Sequence, residues 1–177
     1  MPTPIVIPET RPVTEVIDGR LVQKLGGRLR HQKLEMRWAL ALHAWGGDSG
    51  DALSEWRHEF RAPGHSFASL VPDVAYMSNE SLAELGPAAS ETPSRAPEIA
   101  VEILSAGESE RHLTWKIGAY LAAGTRVVFV VDPPKRTVIA HARTGIERFG
   151  PGEVVAHATM AGFAFPIDAM FEGLYLG

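Results

Sequence analysis

The chain has 177 residues, enough for one domain of ordinary size, and its 45% hydrophobic content suffices to build a buried core. Its 17 basic and 21 acidic residues give a net charge of −4, which argues against a general nucleic-acid coat protein. The absence of cysteine excludes disulfides, thiolate metal sites and a cysteine nucleophile. Neither a signal peptide nor a membrane-spanning apolar run is found, so we expect a soluble, cytoplasmic protein with no membrane partner.

The amino-terminal half is predicted to contain an arm, a hairpin, one long helix and two strands. Four prolines make residues 1–12 unsuitable for a helix or a central strand, and these residues are predicted to form a flexible arm. Asp18-Gly19 between two short apolar runs is typical of a hairpin turn. The predicted elements are a hairpin of residues 13–17 and 21–25, a helix at 29–45 ended by Gly46-Gly47, a turn at 48–52, and strands at 53–61 and 71–77.

The carboxyl-terminal half is predicted to contain a strand–helix–strand unit followed by a hairpin. Two continuous apolar runs separated by a helical pattern indicate parallel strands joined by a right-handed crossover. The predicted elements are a loop with at most one short helix at 78–98, strands at 99–104 and 126–131 joined by a helix at 109–123, a hairpin of 137–142 and 145–149, and a short helix at 167–171. The fold class is therefore α/β (α+β), with a mixed sheet flanked by helices in a single domain of residues 13–177.

Three ionisable residues stand where apolar residues are expected. Glu102 interrupts an apolar strand, and Lys116 lies on the apolar face of the helix that follows. Asp73 follows Pro72 at the entrance of another strand. Each has an ordinary alternative, since Glu102 could reach water at a strand end, Lys116 could extend its ammonium group to solvent, and Asp73 could be a turn residue.

Taken together, the three residues predict a metal site. Two carboxylates on rigid strands suit Mg²⁺ (or Mn²⁺), which binds hard oxygen ligands and is completed by phosphate oxygens. A nearby lysine can orient the attacking water or balance the negative charge that develops on phosphate. This combination is typical of phosphodiester hydrolysis.

At these residues the chain resembles the Uma-two family, a restriction-endonuclease-like family of the PD-(D/E)XK superfamily. The resemblance extends from about residue 13 to 171 and rests on Glu15, Asp18-Gly19, His31, Pro72-Asp73-Val74, Val101-Glu102-Ile103-Leu104-Ser105, Lys116, Tyr120 and Val130-Val131-Asp132-Pro133. It implies a restriction-endonuclease-like central mixed sheet flanked by helices. It also implies a Mg²⁺-dependent DNA endonuclease.

The resemblance assigns roles to individual residues. It implies Asp73 and Glu102 as metal ligands and Lys116 as the catalytic lysine. In the usual superfamily pattern the lysine stands two residues after the acid, where this chain has Leu104, so Lys116 corresponds to a variant in which the lysine has moved to the following helix. Glu15 is implied as a further catalytic acid near the metal. Supporting roles fall to His31, to Tyr120, and to His112, which stands where many relatives carry an acid.

The basic residues are concentrated in one stretch, although the net charge is negative. Residues 20–37 contain six basic residues and one acid, and they predict a phosphate-binding surface with Arg28, Arg30, Lys33 and Arg37 as nucleic-acid contacts. A solvated helix face is the ordinary alternative, so the charge distribution permits DNA, the substrate that the resemblance implies. A homodimer would suit the cutting of both strands of a duplex. Two other functions remain open at this point: a non-catalytic interaction or assembly module that retains the nuclease fold, and a phosphodiesterase acting on RNA or a nucleotide.

Overall fold

The computed structural model describes residues 7–25 and 27–174. The strands are β1 Thr14–Ile17, β2 Arg20–Gln23, β3 Gly50–Ser54, β4 His58–Phe60, β5 Ala68–Leu70, β6 Val74–Ser78, β7 Ile99–Ile103, β8 Val127–Asp132, β9 Thr137–Ala142, β10 Gly145–Phe149, β11 Val154–Val155 and β12 Phe165–Pro166. The helices are α1 Leu29–Gly46, α2 Asn79–Leu85, α3 Pro87–Ser90, α4 Glu110–Ala122 and α5 Ile167–Phe171, with a 3₁₀ turn at Gly47–Ser49. Within these described residues, no helix combines the length and apolar character needed to cross a membrane.

A six-stranded mixed sheet forms the centre of the fold, in the order β10-β9-β8-β7-β6-β3. Strands β7 and β8 are parallel, and α4 connects them, so the predicted strand–helix–strand crossover is present. The other neighbouring pairs of this sheet are antiparallel. The predicted mixed sheet flanked by helices is therefore confirmed.

Helix α1 covers one face of this sheet with an apolar core. Leu34, Trp38 and Leu42 recur at every fourth position of α1, so they lie on one side of the helix, and all three are fully buried. The Trp38 ring lies 5.0 Å from the ring of Phe129 in β8, measured between ring centroids. This face holds the larger of the two buried apolar clusters and contains the bulk of the large buried side chains of the sheet.

A second, four-stranded antiparallel sheet in the order β2-β1-β5-β4 lies apart from the first. We expected residues 53–61 to form one strand, and this was wrong, whereas the strand expected at 71–77 is present as β6, which begins at Val74. The chain turns at Glu55, whose φ is 49°, so β3 and β4 enter different sheets. Pro72 lacks an N–H group, and it separates β5 in the small sheet from β6 in the large one.

Two shorter segments also differ from the prediction. The expected turn at 48–52 is a 3₁₀ turn followed directly by β3, which can approach Tyr76 closely because Gly50 has no side chain. The segment 78–98 contains two short helices, α2 and α3, where one at most was expected. Of the predicted arm, residues 1–6 lie outside the described residues, and residues 7–12 form neither helix nor strand.

Candidate active site

Asp73 and Glu102 come opposite each other at one end of the large sheet. Val74 of β6 pairs with Val101 of β7 in antiparallel register, so the preceding residue of one strand faces the following residue of the other. Opposed residues of an antiparallel pair direct their side chains to the same face of the sheet. Both carboxylates are only 2% exposed, which excludes the alternative that Glu102 reaches bulk water at a strand end.

Glu102 is held by two residues of α4. Lys116 Nζ lies 2.7 Å from Glu102 Oε2, and the Tyr120 hydroxyl donates to Glu102 Oε1 over 3.1 Å. Lys116 and Tyr120 are one helical turn apart, so a single face of α4 delivers both donors. Lys116 is 2% exposed, so its ammonium group lies in the protein interior and does not extend to solvent.

Glu15 joins the same cluster from the small sheet. Its Oε1 lies 3.2 Å from Lys116 Nζ and accepts a hydrogen bond of 2.7 Å from the backbone N–H of Val71. Lys116 therefore bridges two carboxylates from two different sheets. The contacts join β1, β7 and α4 at one point.

Asp73 is held by a separate set of donors. Its Oδ2 accepts a 2.6 Å hydrogen bond from the backbone N–H of Ile103 and lies 3.3 Å from His31 Nε2. Its Oδ1 lies 2.6 Å from Lys24 Nζ, which also donates to the carbonyl of Val71 over 2.9 Å. Lys24, the residue that follows β2, thus brings a second ammonium group into the site.

The electrostatics separate the two acids. Burial, together with the negative charges of Asp73 and Glu15, raises the pKa of Glu102 to about 7 against the opposing effect of Lys116. Burial would also raise the pKa of Asp73, but the charges of Lys24 and His31 outweigh it and hold that pKa below its usual range. Of these two acids, Glu102 is thus the one whose ionised form is less stabilised by its surroundings.

The basic partners are correspondingly charged. Burial disfavours the ammonium form of Lys116, yet Glu102 and Glu15 outweigh it and raise the lysine's pKa. Burial likewise opposes the charged form of His31, but hydrogen bonding to Asp73 and Glu35 raises its pKa to about 10. Both residues are therefore positively charged at neutral pH in the absence of a metal.

A cavity of about 250 Å³ opens onto this cluster. The side chains that line it include Glu15, Lys24, Asp73, Glu102, Glu108, His112 and Lys116. His112, at the beginning of α4, lies on the wall of this cavity, and its backbone N–H donates to Ser109 Oγ. The buried charges are thus accessible to a small ion or to part of a larger substrate.

A larger cleft of about 1,280 Å³ adjoins this cavity, with which it shares Leu25 and Ser105. Three of the four predicted nucleic-acid contacts line it, namely Arg28, Arg30 and Lys33, and Lys135 lines it as well. Arg37 is not among the lining residues, because its guanidinium group donates to the carbonyl of Met170 over 2.7 Å. The structure therefore separates Arg37 from the other three.

Sequence reasoning missed Lys24, Glu35 and Glu108 as site residues. Lys24 was counted only in the basic stretch, and nothing in its local pattern shows that it reaches Asp73. Glu35 lies one helical turn after His31, and their nearest side-chain atoms are 3.7 Å apart. Among the described residues, ligand atoms of His31, Glu35 and Asp73 lie within 4.8 Å of one another, so these three side chains are close enough together to hold a metal ion.

Comparisons with known proteins agree with this architecture. The family model described as "Uma2: Putative restriction endonuclease" matches residues 5–168. The chain belongs to the Uma2 family. It is 24% identical to a putative nuclease belonging to DUF820 from Anabaena variabilis, whose crystal structure covers 96% of this chain and 95% of its own chain with a TM-score of 0.82. A comparison with curated proteins finds no significant match. The resemblance to the Uma-two family and the restriction-endonuclease-like fold are thus confirmed.

Proposed function

We propose that this Uma2 protein is a metal-dependent endonuclease that hydrolyses phosphodiester bonds of DNA. The observation that carries the proposal is the convergence of Asp73, Glu102 and Glu15 with Lys116 in one buried cluster that opens to a cavity. Buried charges are costly and are retained where their chemistry is used. Membership of a family described as a restriction endonuclease supports the same reaction.

The residues present fit a divalent cation. Asp73 and Glu102 supply hard carboxylate oxygens on rigid strands, which is the chemistry that Mg²⁺ and Mn²⁺ prefer. Burial, together with the charges of Asp73 and Glu15, raises the pKa of Glu102 to about 7, and a bound cation would stabilise the ionised form that burial disfavours. When bound there, the cation would act as a Lewis acid on the phosphate and lower the pKa of a water molecule.

The chain's own residues would then position and balance charge. Lys116 is protonated, so in this proposal it acts as a fixed positive charge near the scissile phosphate and not as a general base. The Tyr120 hydroxyl orients Glu102, and Glu15 holds Lys116 in place. Arg28, Arg30 and Lys33 would bind the phosphate backbone along the larger cleft. We further propose that the protein forms a homodimer. Analytical ultracentrifugation, which measures molecular mass in solution, would test this.

The test is cleavage of plasmid DNA by purified full-length protein with Mg²⁺ or Mn²⁺. Asp73→Asn, Glu102→Gln and Lys116→Met should each reduce the rate by at least about 100-fold. Asp51→Asn, at an exposed acid of β3, is the matched control and should retain the wild-type rate. Cleavage that survives in all three site variants would refute the proposal.

RNA and single nucleotides, tested in parallel, separate the remaining alternatives. Hydrolysis of RNA or a nucleotide with intact DNA would indicate the phosphodiesterase function. Binding of nucleic acid or protein partners with no hydrolysis at any metal concentration would indicate an interaction module that retains the nuclease fold.

A further inference from the structure

Asp73 has one carboxylate oxygen that is not committed to the backbone. Oδ2 is occupied by the N–H of Ile103 at 2.6 Å and by His31. Oδ1 instead contacts Lys24 Nζ at 2.6 Å. A cation that uses Asp73 as a ligand through Oδ1 therefore meets the ammonium group of Lys24.

We propose that Lys24 is the counter-ion of Asp73 in the metal-free protein, and that a divalent cation displaces its ammonium group when it binds. The inference rests on the proposed function only in taking Asp73 as a metal ligand. It assigns to Lys24 the role of a displaceable counter-ion, which neither the sequence pattern nor the family description contains.

The position of the Lys24 ammonium group calls for such an exchange. Lys24 Nζ lies 2.6 Å from Asp73 Oδ1, so a cation bound to that oxygen would stand close to a second positive charge in a buried site. Like charges at so short a distance repel each other strongly where water is largely excluded, so the ammonium group has to move away.

Of the two lysines, Lys24 is the one whose ammonium group can leave the site. Its side chain is 13% exposed, against 2% for Lys116, and Lys24 borders both the 250 Å³ cavity and a neighbouring cavity of about 470 Å³. Lys116 is enclosed and contacts two carboxylates, Glu102 and Glu15. Apart from Asp73, the hydrogen-bond partner of Lys24 is the carbonyl of Val71, which the lysine can exchange for water.

Two roles for Lys24 predict opposite effects on metal affinity. If Lys24 competes with the cation, removing its ammonium group leaves Asp73 without its counter-ion and tightens metal binding. If Lys24 only holds Asp73 in position, removing it disorders the ligand and weakens metal binding. The direction of the change therefore decides between the two roles.

The experiment is calorimetric titration of Mn²⁺ into the metal-free full-length protein. Lys24→Met should bind Mn²⁺ at least about tenfold more tightly than the wild type, because the ion pair between Lys24 and Asp73 no longer has to be broken. Lys24→Arg keeps the positive charge and should stay close to the wild type. In an Asp73→Asn background, Lys24→Met should have no such effect, since the competing pair is already absent.

A thermal melt in EDTA provides a second measurement. Lys24→Met should melt at a lower temperature than the wild type, and Mn²⁺ should raise its melting temperature by more than it raises that of the wild type. Lys24→Gln, which can still donate to Val71, replaces Lys24→Met in both measurements if the latter does not fold.

Unchanged or weaker Mn²⁺ binding in the Lys24 variant overturns the inference, and so does the absence of Mn²⁺ binding in both proteins. The outcome is separable from that of the nuclease test. A protein that binds Mn²⁺ as expected here, yet leaves every nucleic acid intact, refutes the proposed reaction and supports the role of Lys24.

Discussion

Replacing Glu102 with glutamine tests the charge imbalance of the site directly. Glutamine has nearly the same size and can still accept a hydrogen bond from Tyr120, but it cannot ionise. In the wild type, burial together with Asp73 and Glu15 raises the pKa of Glu102 from an ordinary value of 4.5 to about 7. The substitution therefore removes a titrating group and leaves the packing in place.

The pKa of Glu102 makes stability depend on pH in a defined direction. Between pH 4.5 and 7 the folded protein holds a proton on Glu102 that the unfolded chain has released, so the contribution of Glu102 to stability falls as pH rises through this window. At about 1.4 kcal/mol per pH unit, the interval corresponds to about 3 kcal/mol that is present at pH 4.5 and lost by pH 7. Relative to the wild type, Glu102→Gln should therefore gain about 3 kcal/mol over the same window.

Urea denaturation of the metal-free proteins, followed by tryptophan fluorescence, measures this difference between pH 4.5 and 7. Glu80→Gln, at an exposed acid of α2, is the matched control and should run parallel to the wild type. If the Glu102→Gln and wild-type free energies of unfolding differ by the same amount at both ends of the window, the reasoning is refuted. Mg²⁺ should reduce the wild-type pH dependence, because a bound cation stabilises the ionised carboxylate.

Two further predictions concern residues away from the site. Trp38→Ala should lower the free energy of unfolding by about 3–5 kcal/mol in urea denaturation, because Trp38 is fully buried against Phe129 and Phe163. Trp38→Phe should cost much less, since the indole N–H it removes has no hydrogen-bond partner among the described residues. For His58, burial lowers the pKa to about 4 against the opposing hydrogen bond to the carbonyl of Arg95, so the contribution of His58 to stability should fall as pH drops from 6.5 towards 4. His58→Gln should abolish that fall, by about 3 kcal/mol at the acid end, and a decline of the same size in the variant would contradict this account.

The parts of the site that could be predicted from sequence are those in which a charge interrupts a local apolar pattern. Glu102 stands out within a buried strand, and Lys116 stands out on the apolar face of α4. Such contradictions between residue type and environment are visible in a short window, because strand and helix periodicity are local properties. Their mutual contact at 2.7 Å then follows from the crossover geometry of β7, α4 and β8.

The parts that could not be predicted depend on long-range packing. Lys24 follows an exposed hairpin strand, so its contact with Asp73 appears only when the small sheet is placed against the large one. The chain passes from one sheet to the other at Glu55, whose backbone has a left-handed conformation. Glutamate rarely adopts this conformation, so the sequence does not predict the turn. Arg37 belongs to the basic stretch by sequence, but in the folded protein its guanidinium group donates a hydrogen bond to the carbonyl of Met170.

The two faces of the large sheet separate stability from chemistry. Carboxylates and ammonium groups lose their hydration when they are buried, and their mutual attraction compensates for this loss only in part. The charged cluster is therefore not expected to stabilise the fold. The opposite face contributes a dry core around Trp38, with aromatic neighbours from β8 and the carboxyl-terminal segment. Because β7 belongs to both faces, with Val101 in the core and Glu102 in the cluster, a rigid core fixes the position of the Glu102 carboxylate. The residues that would hold a metal can therefore carry unfavourable charge without giving up a defined geometry.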